Sequence, residues 1–113
     1  MKIREEYLAH KVERFSEKYD HIYIYGCGDI GRRCLVNLQN HGIYPTGFFV
    51  SSKKDIPDSM YGYPVREYSD EILQKENACV VIGLGKSIRK EIMSYPSIKK
   101  QISRFLIYSK FAD

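Results

Sequence analysis

The chain has 113 residues, 43% hydrophobic and 28% charged, short of the ~150 residues of a common domain, so one compact unit over residues 1–113 is expected and a multi-domain enzyme is excluded. Eighteen basic residues lie scattered among 14 acidic ones for a net charge of +4, too mild and too dispersed for a nucleic-acid partner. No apolar run nears the ~20 residues that cross a bilayer, and the charged start MKIREEYLAHKVERF lacks a signal peptide's apolar stretch, so a cytoplasmic protein with no membrane partner is expected.

Ile3, Tyr7, Leu8, Val12, Phe15 and Tyr19 recur at steps of one, three and four, which predicts an amphipathic helix over residues 3–19 with Arg4, Glu5, Glu6, Lys11, Glu13 and Lys18 on its other face. Such a helix covers a face of its own sheet or meets a partner. His21 to Tyr25 (HIYIY) is too short for a helix and apolar on both sides, which predicts a buried parallel strand ended by Gly26. From Asp29 the period changes: Ile30, Cys34, Leu35 and Leu38 return at helical spacing, with Gly42 as the left-handed stop. Thr46 to Ser51 (TGFFVS) is a second strand, which completes a βαβ unit.

Residues 52–63 carry Pro57, Asp58 and Gly62 and read as loop. Pro64 and Val65 predict a short strand, and Ser69 caps a brief helix with Asp70 and Glu71 in its first turn, ending near Asn77. Ala78 to Leu84 (ACVVIGL) is the most apolar stretch and predicts a central strand. A helix over Ser87 to Ser94 stops at Pro96, Ile98 and Ile102 share one further turn, and Phe105 to Tyr108 is the last strand. The fold class expected is α/β: a Rossmann-like, doubly wound parallel sheet of about five strands in the order 3-2-1-4-5, with an added N-terminal helix. No internal repeat or linker interrupts it.

Gly26-Cys27-Gly28-Asp29-Ile30-Gly31 is a G-x-G-x-x-G set between a predicted strand and a predicted helix. In a phosphate-binding turn the first glycine permits the bend, the second lets a pyrophosphate approach the backbone, and the third seats the helix on the strand. A glycine turn kept only for packing is the other reading. The acid that binds a ribose at the end of the second strand is replaced by Ser51 and Ser52, followed by Lys53 and Lys54. These lysines could meet the 2′-phosphate of NADP, serve another phosphate ligand, or simply be solvated. Gly83-Leu84-Gly85-Lys86-Ser87 is no P-loop, since position 80 is Val80. Gly83 should nonetheless end a strand beside Gly26, where Lys86 and Arg89 could reach a ligand.

The three cysteines, Cys27, Cys34 and Cys79, form no CxxC, so neither a disulfide framework nor a zinc site is expected. Cys27, near a helix start, is either a reactive thiol with a lowered pKa or a small residue tolerated in the turn. Cys34 and Cys79 read as core, and His10, His21 and His41 carry no triad or metal-ligand spacing, so no catalytic residue and no metal ligand is assigned.

The run IYIYGCGDIGRRCLVNLQNHGIYPTGFFVS, with YGYPV, VVIG and Arg89 after it, resembles the Rossmann-like domain that begins bacterial sugar-nucleotide acetyltransferases of the bacillosamine and sialic-acid type, and related polysaccharide-biosynthesis domains that bind NAD(P). The resemblance spans residues 20–95 and rests on the I-Y-G-x-G-x-x-G turn, Gly47-Phe48, Gly62 to Val65, and Ile82-Gly83 with Arg89. It implies a UDP-sugar or NAD(P) site at Gly26, Gly28, Asp29, Ile30, Gly83 and Arg89. It implies nothing about acetyl transfer, because the β-helix that performs it is not in this sequence.

The reading that follows is a nucleotide-binding module for NAD(P) or a nucleotide-sugar, belonging to a larger enzyme or assembly. After five strands and their helices few residues remain to build a substrate wall facing a nicotinamide, which disfavours a small epimerase or dehydrogenase completed by oligomerisation. A protein-interaction or regulatory domain with a vestigial glycine turn is the remaining alternative, and the ten tyrosines would suit a homo-oligomeric contact there.

Overall fold

The computed structural model describes the backbone of residues 2–109 and the side chains of residues 10–108. His21–Tyr25 (β2) and Ala78–Ile82 (β6), apolar on both sides, pair in parallel from His21↔Ala78 to Tyr25↔Ile82 and occupy the middle of a sheet. Outward from β2 lie Gly47–Val50 (β3) and Tyr63–Glu67 (β5); outward from β6 lie Phe105–Ser109 (β7) and Lys2–Arg4 (β1). A two-residue strand, Ser59–Met60 (β4), adds to β5 antiparallel, so the order across the sheet is β1-β7-β6-β2-β3-β5-β4. The fold is therefore α/β with six parallel strands and one short antiparallel edge.

That order corrects the five-strand expectation. The five anticipated strands form the interior, and two edge strands were not anticipated. Ile3 fits helical spacing as well as it fits a strand, and only pairing with Tyr108 makes residues 2–4 extended. The second edge arises because Tyr61 and Gly62 hold φ of 55° and 85°, the handedness a two-residue hairpin requires. Tyrosine rarely adopts that conformation.

Alternation along the strands divides the core in two. On one face Ile24, Phe48, Val65, Val81 and Leu106 are covered by Glu5–Ser16 (α1), through Val12 and Phe15, and by Asp29–Asn40 (α2), through Cys34, Leu35 and Leu38. The side chains of Ile3, Tyr7 and Leu8 lie outside the described residues. On the other face Tyr23, Tyr25, Phe49, Val80 and Ile82 lie under Asp70–Lys75 (α3), Lys86–Met93 (α4) and Pro96–Lys99 (α5), by way of Leu73, Ile92 and Ile98. Each such side chain taken out of water contributes roughly 1.5–3 kcal/mol. Cys79, fully buried in β6, has its thiol pushed up to about 12 by burial.

Helix ends follow local chemistry. Ser69 Oγ accepts the Ile72 N–H at the start of α3. Gly42, at φ 76°, closes α2, donating to the Gln39 carbonyl at 3.0 Å while Ile43 donates to Leu38 at 2.9 Å. Ile102 departs from expectation. It is 46% exposed, because residues 102–104 form a 3-10 turn, whose tighter period takes Ile102 off the face that buries Ile98. No helix among the described residues is long and apolar enough to cross a membrane.

On the α3 face Tyr23 donates to Glu76 Oε1 at 2.5 Å, and Arg66 Nη1 donates to Glu76 Oε2 at 2.7 Å and to the Tyr23 hydroxyl at 3.0 Å. Burial pushes the Glu76 carboxyl up, but the hydrogen bonds from Tyr23 and Arg66 outweigh it and hold the group below its ordinary 4.5. A depressed folded-state pKa contributes stability that is complete above 4.5 and fades as pH falls through the folded value. Glu76→Gln should therefore cost about 1 kcal/mol at neutral pH, the pair being partly solvated. Denaturant titrations of both proteins across the acid range should show the gap closing below pH 4.5, and a gap independent of pH would contradict the assignment.

Candidate functional site

At the carboxyl end of β2 the chain turns through Gly26, whose φ of 108° suits only glycine and whose N–H donates to the Phe49 carbonyl at 2.8 Å. A Cβ on Gly26 would lie 2.6 Å from the Gly83 carbonyl oxygen, one on Gly31 would lie 2.0 Å from the Gly26 carbonyl oxygen, and one on Gly83 would lie 3.0 Å from Gly31 Cα. Gly26, Gly31 and Gly83 thus form one tight packing point, where α2 rests on the ends of β2 and β6. Gly28 is different: a Cβ there meets nothing within 4 Å.

Gly28 is also the N-cap of α2 and, lacking a side chain, satisfies none of its amides. The helix's first backbone bond is Arg32 N–H to the Gly28 carbonyl at 2.9 Å, so the N–H groups of residues 28–31 have no acceptor within the helix. They add to the positive end of the α2 dipole. Asp29 and Ile30 stand exposed beside them, Ile30 at 36%.

Above this turn lies a cleft of about 320 Å³. Its floor is Tyr25 to Gly28, one wall is Val50, Ser51, Ser52 and Ile56 at the end of β3, and the other is Leu84 and Ile88 beyond β6. Of the residues expected from sequence, Gly26, Cys27, Gly28, Ser51 and Ser52 meet here. Gly31 and Gly83 are buried and shape the turn without lining it; Asp29 and Ile30 flank it. Lys53 is drawn into an ion pair with Asp58, which holds the Asp58 carboxyl below its ordinary range. Arg89, only 5% exposed, is engaged within the protein and does not line the cleft.

The thiol of Cys27 departs from the activated reading. Burial pushes its pKa up, and the backbone contribution that lowers it is smaller. Its carbonyl accepts a hydrogen bond from Tyr61 at 3.2 Å, with the Tyr61 ring edge-on to Phe48. The β4–β5 hairpin is thereby tied to the glycine turn, and that contact offsets the left-handed backbone at Tyr61.

Tyr25, Leu84, Ile56 and Ile88 were absent from the sequence-derived site. The hydrophobicity of Tyr25 assigned it to the core, yet its hydroxyl reaches Ser51 Oγ at 2.8 Å, and burial raises its pKa more than that bond lowers it. The chain carries two Tyr-x-x-x-Lys spacings of the kind a short-chain dehydrogenase or epimerase would use, Tyr7 to Lys11 and Tyr95 to Lys99. The second places Tyr95 near Tyr25, but its hydroxyl donates to Glu91 at 3.3 Å and the Glu91 charge pushes the phenol up. An activated tyrosine requires the opposite shift.

A larger groove, about 630 Å³, opens by the amino end of β2 between Asp20, His21, Arg66, Glu71, Lys75 and Glu76. Its charges are of both signs and Arg66 is committed to Glu76, so the smaller cleft at the carboxyl edge is the better candidate. No family model matches the chain, and no curated protein is similar enough to count as a relative.

Gly28, open at the start of α2, and Gly31, packed against the turn, should respond differently to a methyl group. Gly31→Ala should destabilise the fold by at least about 2 kcal/mol, because the contact is with backbone that has nowhere to move. Gly28→Ala should cost no more than about 1 kcal/mol, the preference of a helix N-cap for glycine over alanine. Equal effects in urea unfolding would contradict the packing described.

Proposed function

We propose that this domain binds a nucleotide or nucleotide-sugar, its phosphates over Gly28 at the start of α2 and its nucleoside along the wall of Ser51, Ser52 and Ile56. The observation that carries the reading is the open space at Gly28, which both lines the cleft and caps α2 without a side chain. Its position supports the same reading. The helix after β2 packs on one face of the sheet and the helix after β6 on the other, so the cleft lies where the chain's connections diverge. Open parallel sheets collect ligands at that point.

On this reading the sheet is Rossmann-like, as the resemblance of residues 20–95 implies, and the chain is the binding module of an enzyme or assembly in bacterial sugar or polysaccharide synthesis. NAD(P) and UDP-sugars are the ligand classes to test. The apolar surfaces of Leu84, Ile88 and Ile56 suit a base or nicotinamide ring, and the free amides suit a diphosphate.

Thermal unfolding against NAD, NADP, UDP and UDP-N-acetylglucosamine tests it. A ligand at 100 times its Kd adds ~2.7 kcal/mol, which should raise the midpoint by several degrees. Gly28→Val should abolish that shift while leaving the free protein folded, its midpoint lowered by only a few degrees for the poorer N-cap. Silence across the panel, or undiminished binding by the variant, would overturn the assignment.

A further inference from the structure

We infer that the hydroxyl pair Tyr25–Ser51 reads the ribose of the bound nucleotide and selects a free 2′,3′-diol. The inference rests on the nucleotide reading above. Tyr25 ends β2, Ser51 follows β3, and both line the cleft that contains Gly28. A nucleoside diphosphate anchored over Gly28 therefore brings its sugar toward them.

Their chemistry suits a diol. The two hydroxyls share one hydrogen bond of 2.8 Å, in which either oxygen can be the donor. One proton is used between them, so the pair keeps one proton to donate outward and lone pairs to accept. A vicinal diol offers the matching set. A carboxylate in this place would only accept, whereas the neutral pair can also turn its free proton to either ribose oxygen. Neither a phenol nor a serine hydroxyl loses its proton at ordinary pH, so the pair stays neutral.

The same surroundings disfavour a phosphate on the 2′ oxygen. Neither hydroxyl brings positive charge, and Lys53, two residues past Ser51, is held by the Asp58 carboxylate.

Calorimetric titration of the full chain with UDP, ADP and their 2′-deoxy forms tests the inference, alongside NAD against NADP. The diphosphate that binds should bind about tenfold more tightly than its deoxy form, and NAD more tightly than NADP. Ser51→Ala and Tyr25→Phe should each bring the ribo-to-deoxy ratio to within about twofold while leaving the deoxy affinity nearly unaltered. Ser51 is exposed, so its variant keeps the fold, and the Tyr25→Phe ring still fills the core. Binding without ribo-to-deoxy discrimination, or discrimination that survives Ser51→Ala, overturns this inference and leaves the nucleotide site standing. Failure of every nucleotide to bind the wild-type chain overturns both.

Discussion

The contact of α2 with the Gly26 carbonyl is the constraint that the rest of the architecture depends on. A helix normally stands off a sheet by the width of its side chains, but here Gly31 lets the backbone of α2 come down onto the turn. Gly83 removes the side chain that would otherwise fill the gap from the neighbouring strand. Three separate segments must therefore give up a Cβ at one point, and glycine's cost in chain entropy is accepted there. In return α2 begins directly over the ends of the two central strands, with its N-cap Gly28 at the cleft.

The rest of the domain arranges itself around that point. Leu35 and Leu38 continue α2 onto one face of the sheet, and α3 to α5 bury the other through Leu73, Ile92 and Ile98. The β4–β5 hairpin reaches back across the edge, and its Tyr61 holds the Cys27 carbonyl. Left-handed backbone at a tyrosine costs on the order of 1 kcal/mol or more, and the hydrogen bond and the Phe48 contact give the hairpin tip a reason to stay. The loop from Ser51 to Gly62 thus has anchors at both ends, Tyr25 at one and Cys27 at the other.

Charge follows a related division. At the amino end of β2, Arg66, Glu76 and Tyr23 satisfy one another, which makes that groove a structural network. At the carboxyl edge the polar groups are neutral: backbone amides, Tyr25, Ser51 and Ser52 between apolar walls. Neutral donors with apolar surroundings distinguish ligands by shape and hydrogen-bond pattern more than by net charge.

Much of this could be read from one chain. HIYIY and ACVVI announce buried strands because no residue after His21 offers a polar face, and Ser69, Gly42 and the G-x-G-x-x-G turn announce local geometry because their side chains, or the lack of them, act within a few residues. Edge strands were not legible, since Lys2–Arg4 and Ser59–Met60 become strands only by borrowing hydrogen-bond partners from distant segments. Nor could the sequence reveal that Lys53 would pair with Asp58, that Arg89 would be buried, or that the Tyr25 hydroxyl would bond Ser51 beside the cleft. Periodicity and glycine spacing are local and survive in any fold that contains them. Which polar group meets which is decided by chain segments far apart in sequence, and only the folded sheet brings them within reach.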